Sequence, residues 1–348
     1  MTLVVPGRLE THTGGYIYDK RIVSGLRARG WPVEVRELDP GFPSPTASAL
    51  AEAGQVLSAI PDRSIALVDG LALGAMPDHA ERERSRLRLV ALIHLPLAAD
   101  AGLAPEVATK LRTSEQRALA CASLIVVTGA CTRSALAGYG VDPERIALVQ
   151  PGTDRAPRSR GSGGATLQLL TVATLTRRKG HDVLFRALAA LPRHGWHLTC
   201  VGSLEREPDT VAALRGCLRD EGLESSISLA GDVDDARLED YYLDADLFVL
   251  ATLHETYGMA VAEALAHGLP VVSTTDPAIG ELVGEDAGLL VPPGDAAALS
   301  DALGRMIGDA GLRARLSAGA RRVREQLPSW DAASDRMAAA LRRVATGG

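Results

Sequence analysis

The chain of 348 residues contains no asparagine, so it carries no N-glycosylation sequon. Lysine is nearly absent: Lys20, Lys110 and Lys179 are the only ones among 37 basic residues, the rest being arginine. Each surviving lysine is therefore more informative than usual. Aromatic residues make up 3% of the chain, so the cores must be built from Ala, Val and Leu. The four cysteines, Cys121, Cys131, Cys200 and Cys217, show neither paired nor metal-type spacing, which reads as free thiols in a reducing compartment. No apolar run is long enough to span a bilayer. Met1 leads straight into an apolar strand, so the expectation is a cytoplasmic protein with no signal peptide. The net charge of −6 argues against broad nucleic-acid binding. No Gly-x-Gly-x-x-Gly follows the first strand, which argues against a dinucleotide-dependent dehydrogenase.

What is present is a repeated alternation of strand and helix, long enough for two α/β domains. Thr2–Val5 reads as a buried strand, and the loop after it ends in Thr13-Gly14-Gly15 at the start of a helix. Leu89–Ile93 is another strand, with His94 at its C-terminal end, where the crevice of a parallel sheet lies. Asp78–Arg88 alternates charges and reads as a solvated helix face; docking on anionic lipid is the alternative. Thr113–Ala122 reads as a helix. Residues 155–165, RAPRSRGSGGA, have no apolar periodicity and form the best candidate linker. The expected division is 1–160, 161–326, and a C-terminal segment 327–348 set off by Pro328.

The second half opens with a strand ending at Ala173 and the loop Thr174-Leu-Thr-Arg177-Arg178-Lys179-Gly180 before a helix. Three cations at a helix start oppose the helix dipole unless an anion is bound there. The stretch Asp246–Thr275 is the most informative in the chain. A strand runs into a polar loop holding Glu255, then a helix from Gly258 to Ala266 carrying Glu263, then a strand after Pro270. The free amides at such a helix start suit a diphosphate, and Gly258 lets a ligand approach the backbone. Glu255 faces the loop mouth, and Glu263 can accept hydrogen bonds from a diol.

This pattern, Glu255-x-Tyr257-Gly258-x4-Glu263 followed by Ala264-x3-Gly268-x-Pro270-Val-Val, resembles the Glu-x7-Glu motif of the retaining GT-B glycosyltransferases of family 4. The resemblance implies an α/β, GT-B fold, with two Rossmann-like domains facing across a cleft. It implies metal-independent transfer, with retention, of a sugar from a nucleoside-diphosphate sugar (UDP- or GDP-linked) to a small-molecule, lipid or glycan hydroxyl. The implied catalytic residues are Glu255, Lys179, Arg178 and His94. The implied donor-binding residues are Gly15, Thr174, Val233, Tyr257, Gly258, Met259, Ala260 and Glu263. The family carries an arginine where this chain has Thr174, leaving Arg177 or Arg178 to take over. Asp232-Val-Asp234 has the spelling of a metal motif but precedes a helix. No cofactor is implied, and a peripheral contact with the inner membrane face is left open because many relatives glycosylate lipids. The alternatives are a GT-B epimerase or phosphorylase, and a non-catalytic nucleotide-sugar-binding protein.

Overall fold

Leu3 and Val5 face one side of their strand and Val4 the other, and all three are buried. A strand buried on both faces belongs to a parallel sheet covered by helices on both sides. The computed structural model describes residues 1–99 and 102–346 and contains two such sheets, each of six parallel strands. The chain divides into two compact units. One comprises Met1–Gly152 together with the segment from Pro328 onward, and the other is Thr153–Leu327.

The first unit runs β1 (Thr2–Pro6), α1 (Gly14–Ala28), β2 (Glu34–Leu38), α2 (Ala47–Ser58), β3 (Ile65–Asp69), α3 (Gly70–Leu73) and α4 (Pro77–Glu83). It continues through β4 (Arg88–Ile93), α5 (Pro105–Cys121), β5 (Leu124–Val127), α6 (Ala130–Leu136) and β6 (Ile146–Leu148). The second unit runs β7 (Leu167–Val172), α7 (His181–Ala189), β8 (Trp196–Val201), α8 (Pro208–Asp220), β9 (Ile227–Gly231) and α9 (Asp235–Asp244). It ends with β10 (Leu247–Val249), α10 (Met259–Ala266), β11 (Val271–Thr274), α11 (Pro277–Val283), β12 (Gly288–Val291), α12 (Ala296–Gly308) and α13 (Ala310–Arg324). The closing helix α14 (Trp330–Thr346) returns to the first unit.

Strand order is β2-β1-β3-β4-β5-β6 in the first sheet and β12-β11-β10-β7-β8-β9 in the second. Order therefore reverses between β1 and β3, and again between β7 and β10. Beyond the C-terminal ends of strands flanking such a reversal, loops diverge to opposite faces and leave a crevice for a ligand.

Each sheet has a core on either face. Leu169 packs with Phe185, Leu198 and Leu303, whereas its neighbour Leu170 packs with Phe248, Val261 and Ile279. The helix α14 lays Ala333, Met337, Leu341 and Val344 against Leu3, Val5, Ile22 and Leu26, at the spacing of one helical face. Gly25 makes that approach close: a Cβ there would fall 1.9 Å from Ser334 Oγ.

Two local expectations change. The candidate linker is not free chain, because Ser159 N donates to His267 O at 2.8 Å and Arg160 N to Leu243 O at 2.9 Å. These bonds fasten residues 159–161 to the second unit, and the unit boundary falls at Gly152/Thr153. The helix expected from Thr113 begins at Pro105, whose missing N–H costs nothing at a first turn. The alternating charge run is a largely solvated face, as expected, with Asp78, Glu81, Arg82 and Arg84 exposed. Arg117 of α5 holds Asp78 at 2.7 Å and Glu81 at 2.9 Å, and Arg86 holds the buried Glu83.

The helix α12 starts on an aspartate, as its sequence suggests: Asp295 Oδ1 accepts from Ala298 N at 2.9 Å. Asp295→Ala is expected to cost about 1 kcal/mol, read as a lower urea midpoint with an unchanged m value.

Candidate active site

Three loops meet beyond the ends of β7, β10 and β11, at the strand reversal of the second sheet. The first, 173–180, ends in a 3-10 turn over Arg177–Lys179 that is closed by Gly180 in the left-handed region, φ 65°. Only glycine fits there, since a Cβ would lie 2.0 Å from Ala251 O. Leu253 N donates to Arg178 O at 2.8 Å, and Thr252 Oγ1 donates to the same carbonyl at 3.2 Å. The cationic turn is thereby fixed to the loop after β10.

That second loop carries Glu255, which is 6% exposed. Lys179 Nζ donates to Glu255 Oε1 at 2.5 Å, and Arg178 Nη1 lies 3.9 Å from Glu255 Oε2. Arg178 Nη1 also donates to His254 O at 3.0 Å. Arg177 is exposed; its backbone N–H donates to Glu207. Of the two arginines that could replace the one absent at Thr174, Arg178 is the one whose guanidinium reaches Glu255. Thr174 itself is half-buried on the same loop.

Burial lowers the proton affinity of the Lys179 ammonium, and the Arg178 charge lowers it further; Glu255 and Asp276 oppose both. His181, just beyond, is driven down to about 4 by burial and by the Lys179 charge. It is a neutral core residue.

The third loop begins at Asp276, which pattern reading did not single out. Its Oδ2 accepts from Glu255 N at 3.1 Å and lies 3.1 Å from His254 Nδ1, while its Oδ1 caps α11 at Ala278 N, 2.9 Å. Against the burial that would raise it, these hydrogen bonds hold the Asp276 carboxyl below the usual range. One carboxylate thus clamps the backbone of the residue that bears the key acid. The only sequence signal was an Asp-Pro pair at a helix start.

Gly258 precedes α10 at φ 92°, a conformation that favours glycine, and the helix's first amides, those of Met259 and Ala260, follow it. The Tyr257 ring is buried. Glu263 sits about one turn along, half-buried, and its Oε2 accepts from Tyr242 Oη at 2.9 Å. Val233 is packed against the core on the α10 face of the sheet. Asp234 of the metal-like spelling is a helix cap, accepting from Arg237 N at 2.8 Å. The second unit therefore brings together Lys179, Arg178, Glu255 and the Gly258 turn, with Glu263 one helical turn away.

His94 and Gly15 belong to the first unit. Gly15 lies against the His94 ring: a Cβ there would be 3.4 Å from Cδ2. His94 Nε2 is 3.0 Å from Asp19 Oδ1 and 3.8 Å from Asp69 Oδ2. Neither aspartate was anticipated. Asp19 sits within an amphipathic helix and Asp69 at a strand end, and only the fold shows that both reach the same ring.

Two six-stranded parallel sheets with these reversals define the GT-B class. Sucrose-phosphate synthase from Thermosynechococcus elongatus superposes with a TM-score of 0.84 at 21% identity, covering 100% of both chains. HepE from Anabaena, solved with UDP and glucose, gives 0.77 at 20% identity, covering 98% of this chain and 99% of that one. Residues 166–309 match the family described as glycosyl transferases group 1, and that segment is a domain of this family. The D-inositol 3-phosphate glycosyltransferase of Xylanimonas cellulosilytica is 31% identical over 253 residues, 68% of this chain and 60% of that enzyme. Among the described residues no helix is long and apolar enough to cross a membrane.

Proposed function

We propose that this protein is a glycosyltransferase that moves a sugar from a nucleoside-diphosphate sugar to an acceptor hydroxyl, with retention and without a required metal ion. The observation that carries the reading is the convergence of Lys179, Arg178, Glu255 and the Gly258 turn at the strand reversal of the second unit. Lys179 and Arg178 supply positive charge where the leaving diphosphate gains negative charge. The first amides of α10, at Met259 and Ala260, complete the anion site. Glu255 positions the sugar ring, its backbone fixed by Asp276. Glu263 accepts from the ribose hydroxyls, with Tyr242 holding its carboxylate in place. Thr174, Tyr257 and Val233 line the nucleotide side, and Gly15 and His94 also serve the substrate. A UDP-sugar is the first donor to try, given the UDP bound by HepE; a GDP-sugar is the second. The acceptor is a small molecule, lipid or glycan, and a lipid acceptor would bring the protein to the inner membrane face.

A thermal-shift and hydrolysis screen of nucleotide sugars tests this reading. The cognate donor at a hundred times its Kd should stabilise the fold by about 2.7 kcal/mol. Absence of both stabilisation and turnover with every nucleotide sugar would refute it. Glu263→Ala is expected to weaken nucleoside diphosphate binding about ten-fold by calorimetry, through loss of hydrogen bonds to a charged acceptor, while slowing bound-state transfer much less.

A further inference from the structure

The first sheet also reverses order, between β1 and β3, and the residues beyond those strand ends are unusual. Asp19 on α1 is 1% exposed and Asp69, the last residue of β3, is 4% exposed. Buried carboxylates require compensation. Among the described residues no lysine or arginine pairs with either. Asp69 Oδ1 accepts from Leu71 N at 2.7 Å, and Asp19 Oδ2 is buried with no partner. Among the described residues the cationic group in reach is the ring of His94, whose Nε2 lies 3.0 Å from Asp19 and 3.8 Å from Asp69.

The ring is also held from its other sides. Tyr18 packs edge-on at 5.3 Å between centroids, and Gly15 backs the Cδ2 edge. Tyr18 is itself fixed by donating to Val149 O at 2.9 Å. Thr132 Oγ1 donates to His94 O at 3.2 Å and anchors the backbone. With Nε2–H committed to Asp19 Oδ1, Nδ1 is the nitrogen free to meet a ligand.

Resting on the donor-site reading above, we propose that Asp19 and Asp69 are positioning residues. Asp19 accepts from Nε2–H and Asp69 stands 3.8 Å from the same nitrogen, together holding His94 as an imidazolium, so that Nδ1–H is a fixed donor to a substrate oxygen. A neutral histidine with Nε2–H would present Nδ1 as an acceptor instead, so the charge state decides which ligand atom the ring can meet. The titratable groups facing the ring are Tyr18 and Asp19 from α1 and Asp69 from β3. Burial opposes the charge on His94, but Asp19 and then Asp69 outweigh it and raise its proton affinity. Burial, and then the Asp19 charge, raise the Asp69 carboxyl above the usual carboxylate range, while the His94 charge and the Leu71 amide oppose them.

A side-chain 15N titration of the full-length protein tests the proposal without reference to turnover, with His94→Gln to assign the resonance. Wild type should keep His94 protonated at pH 7. Asp19→Asn, which retains an oxygen to accept from Nε2–H, should lower the proton affinity of His94 about ten-fold or more. Asp69→Asn should lower it by less, and provides the same reading if the Asp19 variant does not fold. Under the donor-site reading, the alkaline limb of the kcat profile moves with the titration. A shifted titration with an unmoved kcat profile would overturn the role of Nδ1–H toward substrate. An unchanged His94 titration in both variants would overturn the proposal whole. So would one equivalent of Zn2+ or Mn2+ bound by wild type and lost in Asp19→Asn, because the three ligand atoms lie within 4.8 Å of one another and would then be a cation site.

Discussion

Lys179→Ala is expected to lower kcat about a hundred-fold or more, the usual cost of removing one preorganised donor to a developing oxyanion. The size of the effect follows from the setting of the ammonium. Its side chain is 17% exposed, so water cannot replace the lost charge cheaply. Arg178 Nη1 is occupied by His254 O at 3.0 Å and is not free to move into the gap. Arg177, on the same turn, is exposed, and Arg177→Ala is the control expected to leave the rate nearly unchanged. Lys179→Arg should recover only part of the loss, because a planar guanidinium on a turn pinned by Gly180 cannot place a point charge where the ammonium stood. Single-turnover rates at saturating donor separate this effect from weaker binding. A Lys179→Ala enzyme with wild-type single-turnover rate would remove the central element of the proposed mechanism.

The parts of this architecture that were legible in the sequence are those fixed by local chemistry. Glycine at 258 and proline at 270 mark a helix start and a strand start whatever surrounds them, and both elements lie where the pattern puts them. The Asp295 cap was equally local. What the pattern could not give is which charged residues share a site across long separations. Glu255 and Lys179 could be paired only because the motif resemblance set them together. Asp276 offered nothing beyond an Asp-Pro turn, although it holds the Glu255 backbone. Asp19 looked like one more polar residue on an amphipathic helix, and is buried because β1 and β3 are adjacent while far apart in sequence. The candidate linker shows the opposite error. Composition alone reads Gly, Ser and Arg as free chain, but backbone amides of Ser159 and Arg160 found carbonyls at His267 and Leu243.

Glu255→Gln should reduce transfer by a similar factor, about a hundred-fold, and the loss should itself depend on pH. Two effects combine in this variant. The neutral amide keeps most of the shape of the side chain but loses the charge that orients the sugar. It also removes the carboxylate that offsets burial and the Arg178 charge at Lys179. The sign is unambiguous. Lys179 already binds its proton less tightly than a free lysine, and without Glu255 it binds it less tightly still. The active ammonium form is then lost at lower pH, so the loss of rate that follows Lys179 on the alkaline side moves toward the range set by His94. Combining Glu255→Gln with Lys179→Arg removes the titrating group altogether, since a guanidinium keeps its proton throughout the accessible range. That double variant is expected to be slow at every pH and to keep only the alkaline limb set by His94. If a limb displaced from its wild-type position persists in the double variant, it belongs to another group, and the coupling of Lys179 to Glu255 is not what sets the displacement.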